Sequence, residues 1–162
     1  MQTASDALAQ TIANAAGMVM FYTEDLSQRD YLHRPCAKAN CAAWLIGHLT
    51  LTARSMLTRM GASDLPPLPD GFEKAYARDD TAPSAAEFPY IDQLRDVFQA
   101  NHARFAEYVK GLDAARLNTK LEKPHPRFDT IGTMAAFAPI HIATHAGQIS
   151  TIRRSLGRPP LV

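Results

Sequence analysis

Sulfur is scarce in this chain of 162 residues. Its two cysteines, Cys36 and Cys41, fall in one stretch, with no second pair and no Cys-x-x-Cys spacing. That excludes a disulfide framework and makes a reducing compartment the natural setting. Charge of one sign is also lacking: 17 basic against 16 acidic residues leave +1 with neutral histidines. A nucleic-acid or anionic-membrane surface needs a basic excess or stripe, so neither partner is expected. No run approaches the roughly 20 apolar residues of a membrane span. No basic segment opens the chain, whose first charge is Asp6. The expectation is a cytoplasmic protein. Strand-like alternation and internal repeats are missing too, which disfavours a sheet or a solenoid.

What is present is an ordinary apolar fraction, 46% hydrophobic with 20% charged. A chain of this length and composition buries a full core, so residues 1–162 read as one domain. Proline and glycine divide it into four long segments. Pro66, Pro67, Pro69, Pro83 and Pro89 crowd into one stretch, while Gly61, Gly111 and Gly157 each follow a long periodic run. The last is where a helix needs a residue tolerant of positive φ. Asn40 and Asp129 stand as N-cap candidates before two of the runs.

Apolar spacing predicts a helix in each segment. The first, about 5–25, carries Leu8, Ile12, Ala15, Ala16, Val19 and Leu26. The second, about 41–60, carries Trp44, Leu45, Leu49, Thr52, Met56 and Met60. The third carries Ile91, Leu94, Phe98, Phe105, Val109 and Leu112; Ser84 with Glu87 suggests one start and Pro89 a later one. The fourth, about 130–156, carries Ile131, Met134, Ala138, Ile142, Ile149, Ile152 and Leu156. The fold class is therefore all-α, a four-helix bundle. The 28 residues of 62–89 greatly exceed a tight interhelical turn. They suffice for a long crossover between parallel second and third helices.

Six histidines are the compositional oddity. His48 falls on the second helix, within the stripe of Trp44, Leu45, Leu49 and Thr52. His141 and His145 are one turn apart on the fourth helix, on one face, where leucine or isoleucine is expected. Buried imidazoles need partners for both ring nitrogens, and a metal ion would satisfy three at once. The alternative is that they are hydrogen-bonded core histidines. His33 and His125 lie in polar loops and read as solvated. His102, between Phe98 and Phe105, fits a core residue, a group behind the ligands or a fourth ligand. Pro139 should kink the fourth helix just before His141.

Two stretches carry a family resemblance. Asn40, Trp44 and His48 form N-x-x-x-W-x-x-x-H, which resembles the second-helix motif of the DinB superfamily. His141 and His145, followed by Gly147-Gln148-Ile149, resemble that family's last-helix motif. The resemblance implies a bundle of up-down-down-up order. It also implies a divalent metal held by His48, His141 and His145, and homodimers. Family members of known activity are thiol-dependent transferases and isomerases. All-imidazole ligation suits zinc or nickel, with iron also compatible. An open coordination position would activate either water or a low-molecular-weight thiol toward a small-molecule substrate. No HExxH motif supports a zinc peptidase.

Glu24, Asp25 and Glu107 are possible acids or groups behind the ligands, but each reads more simply as surface charge. Cys41 stands about 10 Å along the helix from His48, too far for direct ligation. Arg153, Arg154 and Arg158 suit the C-terminal end of the fourth helix and its dipole, or an anionic substrate. Two functions follow: a metal-dependent, thiol-transferase-like enzyme, or a non-catalytic, dimeric metal- or ligand-binding bundle related to stress.

Overall fold

The computed structural model describes residues 1–77 and 91–161. Helix α1, Ala4–Thr23, begins on a capping box in which Thr3 and Asp6 satisfy each other's backbone N–H. Its buried face is Ala9, Ile12, Ala15, Ala16 and Val19. A short helix, α2 (Gln28–Tyr31), leads to α3 (Ala42–Met60). Cys41, not Asn40, occupies the N-cap of α3, and no side chain caps it. At the far end Gly61 adopts φ +96°, and its N–H reaches the carbonyls of Leu57 and Thr58.

After another short helix, α4 (Phe72–Tyr76), come α5 (Ile91–Lys110) and α6 (Ala114–Leu117). Gly111 does not take positive φ; the glycines that do are Gly61, Gly71 and Gly157. The N–H of Gly111 is met instead by Glu107 and Tyr108 carbonyls, before Leu112 turns into α6. Helix α7, Ile131–Ser155, is capped by Thr130 with Thr133, not by Asp129, and runs on through Pro139. The Ser84–Glu87 pair, the alternative start at Pro89 and the side chain of Ile91 lie outside the described residues.

One feature departs from an all-helical chain. Strands β1 (Lys120–His125) and β2 (Phe128–Thr130) form an antiparallel hairpin ahead of α7. Leu121 and Phe128 are the buried anchors of the two strands. With so few apolar residues, and with Pro124 and Pro126 among them, the segment has no alternation to display.

Hydrogen bonds fix how the long helices run. Ser5 Oγ at the start of α1 donates to the Leu112 carbonyl beyond the end of α5. Arg95, near the start of α5, donates to Thr23 Oγ1 at 2.8 Å, at the end of α1. These two helices are antiparallel. Arg54 donates to Asn101 Oδ1 at 3.0 Å and Tyr108 OH to the Met60 carbonyl at 2.6 Å, so α3 and α5 run together. Arg153 donates to the Tyr22 carbonyl at 3.0 Å, which brings the ends of α7 and α1 together. Both α1 and α3 pack chiefly on α5 and α7, so the bundle places α1 diagonally across from α3.

Parallel neighbours joined in sequence need a connection that returns along a helix. Arg54 donates to the Pro66 carbonyl, and farther along the chain the Tyr76 ring lies against Gly47. The linker therefore runs back along α3 from Gly61 toward its start. Phe72 and Tyr76 of α4 are wholly buried there, so the connection is part of the core. Among the described residues, no helix is long and apolar enough to cross a membrane.

Candidate metal centre

Helix α3 turns His48 toward α7, whose residues His141 and His145 rise one turn apart on the facing side. The rings of His48 lie 5.4 Å from His141 and 5.1 Å from His145, both edge-on. His141 and His145 are 4.6 Å apart at 89°. One nitrogen from each of the three lies within 4.8 Å of the others. The kink expected at Pro139 does not swing the pair off this face. All three residues are half-buried, so solvent reaches the cluster while the bundle holds it.

Neighbouring groups hold two of the rings. Trp44, one turn before His48, stacks on it at 4.8 Å and 4°. Gln148 Oε1 lies 2.7 Å from His145 Nδ1 and accepts its proton. In a neutral ring that leaves His145 Nε2 with a lone pair, and this atom is 3.1 Å from His141 Nε2. Three half-buried imidazoles fit a divalent metal ion, and His48, His141 and His145 are the residues that would hold it. The tryptophan and glutamine of the sequence motifs support the ligand rings. Replacing Gln148 with leucine should weaken zinc binding about tenfold or more, measured by competition with a chromogenic chelator.

The hairpin walls one side of the cluster. Phe137 stacks on His141 at 6.0 Å and meets Phe128 at 5.5 Å with the rings tilted by 41°. Arg127, at the hairpin tip, places its guanidinium 5.7 Å over the Phe137 ring. Burial, then the neighbouring His145 and Arg127, pushes the His141 pKa down to about 4. Sequence reading passed over Arg127 because only tertiary structure folds its polar stretch back beside α7.

His102 is not in the cluster. It is buried on α5, and its Nδ1 donates to the Phe98 carbonyl at 2.9 Å. Burial pushes its pKa down to about 4 as well. In the fold both His102 and His141 therefore resist protonation that the unfolded chain accepts near 6.5. With chelator present, thermal stability should be insensitive to these groups above pH ~6.5 and fall between ~6.5 and ~4. Thermal melts across that range check the sign; a midpoint unchanged down to pH ~4.5 would contradict it.

Several other sequence candidates are engaged elsewhere. His33 bonds Ser155 Oγ at 2.9 Å, and His125 stacks on Phe128 at 3.9 Å, so neither is simply solvated. Arg153 and Arg158 both bind Asp25, and Arg158 also binds Asp30 at 2.6 Å. These arginines clamp the end of α7 to α1 and α2, and Asp25 is committed to them. Glu107 lies 3.9 Å from Arg104, and Glu24 is the exposed C-cap of α1. Cys41 is buried, which raises its thiol pKa and makes it a poor thiolate, whereas Cys36 is exposed. Among the described residues, the three histidines are the one group of His, Cys, Asp or Glu arranged to hold an ion.

The family model of the DinB superfamily matches residues 12–149. Among solved structures, YfiT from Bacillus subtilis superposes with a TM-score of 0.70 at 11% identity, covering 96% of this chain and 89% of its own. It is described as a probable metal-dependent hydrolase with an unusual four-helix bundle topology. A conserved protein from Enterococcus faecalis gives a TM-score of 0.67 at 14% identity, covering 98% of this chain and 100% of its own. At such identities the likeness speaks for the fold alone. No curated protein sequence matches the chain.

Proposed function

This chain belongs to the DinB superfamily, and from that premise we propose a metal-dependent enzyme that joins a low-molecular-weight thiol to a small electrophile. The observation that carries the reading is the convergence of three half-buried imidazoles, one nitrogen of each within 4.8 Å of the others. Zinc or nickel suits such ligands, and iron is compatible. An ion bound there supplies a Lewis acid that lowers the pKa of a thiol or of water. The chain's own residues orient the ligands: Trp44 backs His48, and Gln148 sets the His145 tautomer.

Thiol chemistry is favoured over hydrolysis by what surrounds the rings. Among the described residues no carboxylate joins the cluster as a base, and a thiol needs less help than water to ionise. Neither protein cysteine belongs to the cluster, so the thiol is a co-substrate. Arg127 offers a positive charge beside His141 for the carboxylate that small biological thiols carry. Such thiols are abundant in the cytoplasm, where this reading places the protein. Hydrolysis is the second reading, favoured by the description given to YfiT.

One assay separates them. Zinc- or nickel-loaded protein is mixed with cysteine or glutathione and 1-chloro-2,4-dinitrobenzene, where thiolate displaces chloride, and in parallel with p-nitrophenyl acetate. Metal-dependent thiol consumption that His48→Ala abolishes is expected. Metal-dependent ester cleavage without thiol consumption would overturn the thiol reading in favour of hydrolysis.

A further inference from the structure

His102 is 2% exposed, so its ring depends on protein partners. A carbonyl oxygen only accepts, and the Phe98 carbonyl therefore fixes the proton on His102 Nδ1. His102 Nε2 is left with a lone pair, and among the described residues nothing donates to it. An unmet buried acceptor of this kind is unfavourable, because it has lost water without gaining a donor.

The same imidazole lines a cavity of about 10 Å³ together with Thr52 and His141, the remaining wall being apolar groups such as Leu49, Met56 and Ile142. That volume is about what one water molecule requires, and a buried water needs two to four polar partners. His102 Nε2, the Thr52 hydroxyl and His141 are the polar groups at hand. On His141, Nε2 is turned to His145 at 3.1 Å. If Nε2 is a ligand, the proton of a neutral His141 ring sits on Nδ1, which then needs an acceptor. Gln148 does this for His145.

We propose that His102 is a positioning residue for the metal centre, holding the His141 imidazole through one water molecule seated between them. The water accepts the Nδ1 proton of His141 and donates one of its own to His102 Nε2. Its second proton goes to Thr52 Oγ1. The His141 Nδ1 proton and both protons of the water each meet an acceptor, and the buried lone pair of His102 is satisfied. Helix α5, which contributes no ligand, thereby sets the orientation of a ligand on α7 across the bundle. The proposal rests on reading His141 as a ligand.

Chelator competition with zinc on wild type, His102→Phe and His102→Gln tests it. His102→Phe removes the acceptor and should bind zinc about tenfold more weakly or worse. His102→Gln keeps an acceptor oxygen and should recover most of that loss. In the zinc-loaded wild type, ¹⁵N NMR should show His102 with Nε2 unprotonated and hydrogen-bonded. A crystal structure should show one ordered water within hydrogen-bonding distance of both rings. Failure of the wild type to bind zinc would remove the metal reading itself, and this proposal with it. Zinc binding by wild type with a dry cavity, or undiminished binding by folded His102→Phe, would overturn this proposal alone. Should His102→Phe not fold, His102→Gln and the cavity water decide.

Discussion

Replacing His141 with alanine is expected to weaken zinc binding by a hundredfold or more. Losing a group behind a ligand typically costs about 10–100-fold, and losing a ligand costs more. Two half-buried imidazoles, His48 and His145, would remain from different helices, with nothing to close the triangle. The fold itself should survive. His141 is half-buried beside a neighbouring imidazole and disfavours its own charged form, so alanine removes a polar group that metal-free packing does not need. The readout is therefore the gain in stability on adding zinc. At a hundred times its Kd, an ion that binds only the folded chain contributes about 2.7 kcal/mol, roughly 5–10 °C for a domain of this size. Wild type should show that rise, and His141→Ala should show almost none at the same zinc concentration. His125→Ala, on the hairpin and outside the cluster, should respond as wild type does.

The second large effect is structural. A Cβ on Gly47 would stand 2.1 Å from Tyr76 Cδ1 and 2.2 Å from its Cγ. Those atoms belong to the body of a ring that is wholly buried, so Gly47→Ala forces the ring, and with it α4, away from α3. Overpacking of this kind costs about 1–3 kcal/mol. The gain in helix propensity from glycine to alanine returns less than ~1 kcal/mol. A net loss of about 1 kcal/mol lowers the thermal midpoint by about 2–4 °C. Because Gly47 precedes His48, the displaced linker should also disturb that ligand, and zinc affinity should fall with stability. The double variant Gly47→Ala with Tyr76→Ala is less impaired than the sum of its parts, since the second change removes what the first collides with. Additive losses would show that Tyr76 does not set the requirement for glycine.

The long helices were legible because each has a continuous apolar stripe and most have a clear terminator. Gly61 and Gly157 took the positive φ that their positions suggested, whereas Gly111 did not, because neighbouring carbonyls meet its N–H in an ordinary conformation. Caps shifted by one residue, from Asn40 to Cys41, where no side chain caps the helix, and from Asp129 to Thr130, whose hydroxyl takes the role. The hairpin and α4 were invisible for another reason. Their anchors, Leu121, Phe128, Phe72 and Tyr76, are too few to make a period, and they are buried by elements distant in sequence.

The site divides in the same way. His141 and His145 share a helical face by spacing alone. His48 could be assigned to the inward stripe, but its meeting with them depends on α3 packing against α7. Gln148 lies within a recognised motif, and only the fold gives it a task, the hydrogen bond to His145. Arg127 and His102 approach the cluster from the hairpin and from α5, and no spacing along the chain foretells either approach. The arginines at the end of α7 read from sequence as complements to the helix dipole, with an anion site as the other option, and the structure commits Arg153 and Arg158 to Asp25.

The most direct measurement is the metal content of the protein purified without a histidine tag. The chain is stripped with chelator, reloaded with zinc or nickel, freed of excess and analysed by inductively coupled plasma mass spectrometry. One ion per chain in wild type, and none in His141→Ala under the same treatment, is the predicted result. Wild-type protein that retains no ion after reloading would contradict a metal centre at His48, His141 and His145.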